Sequence, residues 1–380
     1  MNKMTKRLLF LIVFFLMFSL FISVPNAYAF DVNATAAILI DADTGKILFQ
    51  KNPHEKHYPA STTKVLTALI ALGKGDLTQK ITVPDNFVNA GEAGIWLEPG
   101  ETQTLEDMLY ALLLRSANDA AQLIAIGIAG SQEAFVQMMN EKTVAMGLVD
   151  SHWTNPHGLH DKDHYTSVYD MAYIARVALQ NSVFNQIIVT HERQLPWGDN
   201  EYNRVVYNRN QFLSYYPYAD GIKTGYTTEA GSCLVASATK DGMRLIGVVF
   251  DCNGMYDQMA DLMDYGFNNF ERKKIASAGD TFGQAQISGA KIDSVDAVLK
   301  EDVYVVLPKD TKDLPIAQVL LQDKLNAPVT QADAVGSVTY KDTQGYAVTK
   351  QLYTSQAVTV YSFLKILQTA FLRIFTAVIA

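Results

Sequence analysis

Segments of β pattern stand on both sides of a long helical stretch, and this arrangement limits the folds open to the chain more than any other feature. Thr35 to Asp41 and Lys46 to Gln50 are β-rich runs around Asp43-Thr44-Gly45, which reads as a hairpin with a glycine in its turn. From Ser61 onward the pattern is helical. Ser61 to Leu72, Leu105 to Leu114, Asn118 to Ile128, Gln132 to Met146 and Ser167 to Leu179 carry apolar residues at three and four spacing. β pattern returns at Ala219 to Lys223, Gly231 to Ala238 and Arg244 to Asp251, followed by an amphipathic helix from Tyr256 to Phe270. Strands at both ends with helices between predict an α/β (α+β) fold, one antiparallel sheet whose halves come from distant sequence, covered by helices.

The chain is 380 residues long and 49% hydrophobic, enough for a sizeable core and for more than one domain. After Arg272-Lys273-Lys274 the pattern changes to short β runs such as Val303 to Leu307 and Gly336 to Tyr340. Residues 30–273 are therefore expected to form one domain and residues 274–357 a small β domain. At the N-terminus Lys3, Lys6 and Arg7 precede an apolar run ending in Ala27-Tyr28-Ala29, which reads as a signal peptide over residues 1–29. The tail, residues 358–380, is read as a helix: Tyr361 to Ala380 is apolar apart from Ser362, Lys365, Gln368, Thr369, Arg373 and Thr376, which share one helical face. Such a helix lies in a membrane interface; spanning would put Lys365 and Arg373 in hydrocarbon. The expected location is the outer face of the cytoplasmic membrane, peripherally attached, with some protein released.

A formal charge of −8, made more negative by loss of Lys3, Lys6 and Arg7, argues against nucleic acid, and none is expected as a partner. The two cysteines, Cys233 and Cys252, fall on the strands of one hairpin turning near Lys240 to Gly242. Their offset along the strands is too large for a disulfide, so both read as small buried hydrophobes.

Three short motifs carry chemistry: Ser61-Thr62-Thr63-Lys64 at a helix start, Ser116-Ala117-Asn118 between two helices, and Lys223-Thr224-Gly225 on a strand. Ser61 and Lys64 are one helical turn apart, so the amine can reach the hydroxyl proton. Burial and a second cation, Lys223, would destabilise the charged form of Lys64 and make it a base. Ser116 can relay a proton to a leaving amine, and Asn118 can orient the lysine or the substrate backbone. Attack on an amide creates an oxyanion, for which the N–H groups of Ser61 and Tyr226 are natural donors. Lys223 and Thr224 suit a terminal carboxylate, and Gly225 leaves room for a substrate strand. His152, His157, His160 and His164 lie in a polar loop without a closed zinc pattern, so neither a metal nor another cofactor is expected.

The order and context of these motifs matter more than any one of them. Pro59-Ala60-Ser61-Thr62-Thr63-Lys64, Leu113-Leu114-Arg115-Ser116-Ala117-Asn118-Asp119-Ala120-Ala121, Asn155-Pro156-His157-Gly158-Leu159 and Asp220-Gly221-Ile222-Lys223-Thr224-Gly225-Tyr226-Thr227 together resemble the low-molecular-mass penicillin-binding proteins that act as serine-type D-alanyl-D-alanine carboxypeptidases. The resemblance covers nearly the whole chain after residue 29. It implies a penicillin-binding/serine β-lactamase-like fold, Ser61 as acylated nucleophile, Lys64 as its base, Ser116 as third catalytic group and Lys223 as substrate-binding cation. It also implies the peptidoglycan pentapeptide stem as substrate, β-lactams as covalent inhibitors and a role in cell-wall biogenesis. A D,D-endopeptidase and a catalytically silent wall-binding protein remain as alternatives. A class A β-lactamase does not fit, because no E-x-x-L-N follows Asn118 before Lys223. One departure stands out: Asn253-Gly254-Met255-Tyr256-Asp257, where several relatives carry a carboxylate-binding cation, has none, which puts more of that task on Lys223, Thr224 and Thr227.

Overall fold

The computed structural model describes residues 30–197, 202–343, 345–360 and 367. Strands β1 (Ala34–Asp41) and β2 (Ile47–Lys51) form the expected hairpin. Its turn is held by the Asp41 carboxylate, which accepts the backbone N–H of Thr44 at 2.7 Å and its hydroxyl at 2.5 Å, while Gly45 takes φ +79°. A 3₁₀ turn, Ala60–Thr63, leads into α1 (Lys64–Lys74). Then follow β3 (Lys80–Thr82), β4 (Thr102–Thr104), α2 (Leu105–Tyr110), α3 (Asn118–Ala129), α4 (Gln132–Ala145), α5 (Val168–Ala178) and α6 (Ser182–Ile188). Next come β5 (Glu192–Leu195), β6 (Arg204–Tyr207), α7 (Phe212–Tyr215), β7 (Ala219–Thr227), β8 (Gly231–Lys240), β9 (Met243–Cys252) and α8 (Met255–Asn269). The helix expected over Leu105 to Leu114 widens after Tyr110 into a π turn, Ala111–Arg115, and stops at Ser116, whose φ is +65°.

The main sheet has five antiparallel strands in the order β2-β1-β9-β8-β7, so its ends come from opposite sides of the helical stretch, as expected. Register follows from pairs such as Ile38 with Val248, Leu234 with Val249 and Gly225 with Cys233. β1 is apolar on both faces because both faces are covered. Ala36, Ile38 and Ile40 join Val65, Leu66 and Ala68 of α1 in one core. On the other face α8 lies so close that a Cβ on Gly266 would stand 2.7 Å from Leu39, and one on Gly247 2.5 Å from the Met259 sulfur. Cys233 and Cys252 are both free and buried.

A second body follows: β10 (Phe270–Ala276), β11 (Thr281–Ser288), β12 (Ser294–Val298), β13 (Val303–Pro308), β14 (Ile316–Leu321), β15 (Leu325–Asn326), β16 (Ala334–Lys341) and β17 (Ala347–Thr354). β10 pairs with β13, and the other six form a sheet in the order β14-β16-β17-β12-β11-β15. Val303, Val335, Val338 and Leu352 sit in a core of its own. The β1–β2 turn joins the two bodies: Lys46 Nζ donates to Asp342 at 2.7 Å and to the Val306 carbonyl at 3.0 Å, and the Tyr346 hydroxyl donates to the Thr44 carbonyl. Val358 and Val360, where the expected membrane helix begins, form bridges to Val329 and Ala290. The rest of that helix, apart from Leu367, and the expected signal peptide lie outside the described residues. Among the described residues no helix is long and apolar enough to cross a membrane.

Candidate active site

Ser61 stands where β7 meets the 3₁₀ turn before α1. Hydroxyls of the turn's own threonines lock it: Thr62 donates to the Pro59 carbonyl at 2.7 Å and Thr63 to the Ala60 carbonyl at 2.8 Å. Lys64, on the first turn of α1, is fully buried, and its Nζ lies 3.0 Å from Ser61 Oγ, 2.8 Å from Asn118 Oδ1 and 2.5 Å from the His157 carbonyl. Burial and then the charge of Lys223 hold its pKa well below the ordinary lysine value, against an opposing pull from Asp119 and Glu92. A lysine so placed can be an amine rather than an ammonium. Serine has then a base within hydrogen-bond reach.

Asn118 and Lys223 stand beside Lys64, and Ser116 ends the π turn just before Asn118. Ser116 is aimed by the left-handed conformation at the end of the π turn, and its Oγ is buried with no hydrogen-bond partner among the described residues. Asn118 puts its amide oxygen on Lys64, donates to the Gly91 carbonyl at 2.9 Å, and so orients the lysine. Lys223 is also buried, donates to the Thr224 carbonyl at 2.9 Å, and is pulled down to about 7 by burial and then by the charge of Arg209. Thr224, Gly225 and Tyr226 continue β7, the sheet's edge strand, past Ser61. A Cβ on Gly225 would stand 2.9 Å from the backbone nitrogen of Ser61. The space that Gly225 keeps open is thus first of all the seat of the turn that carries Ser61.

Two residues near the site have no role assigned from the motifs. Asp119, fully buried, accepts from the backbone N–H groups of Ile95 at 3.0 Å and Leu97 at 3.2 Å and so ties the preceding loop to α3. Arg209 supplies the cation beside Lys223; its N–H bonds the Leu114 carbonyl at 3.0 Å, which brings it next to the Ser116 turn. At Met255, within the stretch that has no cation, α8 begins, and the nearby Asp257 carboxylate accepts from Tyr215. Of the histidines, His157 gives Lys64 its carbonyl rather than its ring, and His164 turns its ring toward Thr63 at 2.9 Å.

A serine on a 3₁₀ turn and a buried lysine at the start of the helix that follows it, facing a second lysine on an edge strand, are the arrangement of the penicillin-binding class of serine hydrolases. Residues 23–254 match the family described as D-alanyl-D-alanine carboxypeptidase, and residues 270–360 the penicillin-binding protein 5 C-terminal domain. The chain is 33% identical to the D-alanyl-D-alanine carboxypeptidase DacF of Bacillus subtilis over 81% of each chain. It is 32% identical to DacA of Escherichia coli, over 82% of this chain and 80% of the relative. Among solved structures, PBP3 from Streptococcus pneumoniae superposes with a TM-score of 0.76 at 27% identity, covering 87% of this chain and 100% of that one. Penicillin-binding protein 5 from Haemophilus influenzae gives 0.71 at 28% identity, over 88% and 100%. The chain belongs to the D-alanyl-D-alanine carboxypeptidase family of low-molecular-mass penicillin-binding proteins and is a serine-type peptidase of cell-wall metabolism.

Proposed function

We propose that Ser61 is acylated by the peptidoglycan pentapeptide stem, with Lys64 as its general base, Ser116 as proton relay and Lys223 as the cation that binds the terminal carboxylate. The observation that carries this reading is the 3.0 Å contact between Ser61 Oγ and a lysine whose charge is destabilised by burial. Neutral Lys64 takes the hydroxyl proton as Oγ attacks the carbonyl of the penultimate D-alanine. The oxyanion is received by the N–H groups of Ser61 and Tyr226. As the C–N bond breaks, the proton passes through Ser116 to the departing amine, and D-alanine leaves. Water, deprotonated by Lys64, then hydrolyses the ester. Lys223 with Thr224 holds the carboxylate, and a β-lactam follows the same first step but remains attached.

The reading includes export directed by residues 1–29 and attachment of the protein to the outer surface of the cytoplasmic membrane by residues 361–380. The charge order of the first segment and the cationic face of the second support it. Purified protein is expected to release D-alanine from a peptide ending in D-Ala-D-Ala and to form a covalent adduct with fluorescent penicillin. Both should vanish in Ser61→Ala; an unchanged adduct in that variant would remove Ser61 from its role. Deleting Tyr361 to Ala380 is expected to move the protein from the membrane to the soluble fraction, and continued pelleting with membranes would sink the anchor.

A further inference from the structure

The peptide unit between Ala60 and Ser61 has two ends. Its N–H belongs to Ser61 and, on the reading above, faces the oxyanion. Its carbonyl oxygen faces a chain of buried groups that the catalytic steps do not use. The Thr63 hydroxyl lies 2.8 Å from that oxygen and 2.9 Å from Nε2 of His164, and Nδ1 of His164 lies 3.1 Å from the backbone nitrogen of Thr154. A backbone N–H only donates, so Nδ1 is the bare ring nitrogen and Nε2 carries the proton. Nε2–H donates to Thr63 Oγ1, which leaves the hydroxyl proton for the Ala60 carbonyl. Donation therefore runs one way, from Thr154 through imidazole and hydroxyl to the carbonyl. Burial pushes His164 down to about 3, so the ring is neutral wherever the enzyme would work and this direction does not change.

Ala60 needs such a hold. Its φ is +47°, a left-handed conformation that a residue with a Cβ keeps only under constraint. Gly158 closes the other side: a Cβ there would stand 1.9 Å from the Ala60 oxygen. The carbonyl is thus boxed between the Thr63 hydroxyl and the Gly158 backbone. Since amide N–H and C=O share one plane, fixing the oxygen fixes the direction of the Ser61 N–H. A hydrogen bond accepted at the oxygen also draws electrons from the nitrogen and strengthens the N–H as a donor.

We infer that His164, acting through Thr63, is a positioning residue for the oxyanion hole: it aims and polarises the Ala60–Ser61 amide whose N–H receives the developing negative charge. The inference rests on Ser61 being the acylated serine and its N–H an oxyanion donor. The test uses the full chain with Thr63→Val, Thr63→Ser and His164→Phe. Three quantities separate a positioning role from a structural one: the fraction of sites titrated by fluorescent penicillin, the acylation rate per titrated site, and the infrared carbonyl stretch of the β-lactam acyl-enzyme.

Thr63→Val and His164→Phe are expected to acylate about 10- to 100-fold more slowly per site, as weakening one oxyanion donor requires. KM for the D-Ala-D-Ala peptide should stay within about threefold, because the ground-state carbonyl uses the donor less than the oxyanion does. The ester stretch should move to higher wavenumber as its hydrogen bond weakens. Thr63→Ser keeps the hydroxyl and should restore both rate and stretch, and it keeps the test alive if His164→Phe fails to fold. A lower titrated fraction with wild-type rate and stretch per site would overturn the inference. Absence of any adduct in the wild-type protein would instead overturn the acyl-serine reading on which it rests.

Discussion

Lys223 and Lys64 are two buried cations in one site, and their charges compete. Lys64 carries the burial penalty and the repulsion of Lys223 together, which hold it well below the ordinary lysine value. Burial and the charge of Arg209 bring Lys223 down to about 7. The active form on the proposed mechanism has Lys64 neutral and Lys223 charged, so kcat/KM should rise as Lys64 loses its proton and fall as Lys223 does. The two apparent values belong to the pair rather than to either residue. Lys223→Arg keeps its charge to a far higher pH, and the falling limb is expected to move up by at least about one pH unit. A pH–rate profile of D-alanine release checks this; a falling limb left in place would take Lys223 off it. Stability runs the opposite way. Lys223 holds its proton more tightly in the unfolded chain than in the folded one, so stability from this group rises with pH between about 7 and the ordinary lysine value of 10.5.

The elements that carry the site were legible to unequal degrees, and the reason is periodicity. α1, α3, α5 and the strands β7 to β9 repeat apolar residues over enough turns or pleats to declare themselves. β3 to β6 are three or four residues each, too short for a period. The π turn of Ala111–Arg115 is built from the same leucines as a helix would be, so the twist that delivers Ser116 leaves no mark in composition. Motif spacing brought out Ser61, Lys64, Ser116, Asn118 and Lys223. Asp119 stood inside a quoted motif without a role, because what it binds is the backbone of a loop far back in the chain. Asp119→Ala should leave the Ile95 and Leu97 N–H groups without their acceptor, at about 1–3 kcal/mol in urea denaturation. It also removes a carboxylate that props up the Lys64 charge, so the rising limb of the pH–rate profile should shift to lower pH. Unchanged stability would mean that the loop is held by other contacts.

At the scale of the molecule, the β1–β2 turn couples the sheet that carries the site to the β domain. The Lys46–Asp342 pair is almost wholly buried, with side chains 4% and 9% exposed, and is accompanied by Arg272 to Asp43 at 3.1 Å. Removing one partner of a buried pair strands the other, which costs about 3–5 kcal/mol. Asp342 keeps the backbone N–H of Tyr346 at 2.8 Å in Lys46→Met, so the loss should fall at the lower end of that range. The cost falls on the junction, since the helical core and the β-domain core share no residue. In calorimetry the variant is therefore expected to split the unfolding of the wild-type chain into two transitions, one for each core. D-alanine release from a soluble peptide should stay within about twofold, because Lys46 touches none of the residues around Ser61. A double-mutant cycle with Asp342→Asn isolates the pair: coupling near zero, or a single transition merely shifted down, would mean that the two bodies are joined through the rest of the turn and not through this buried charge.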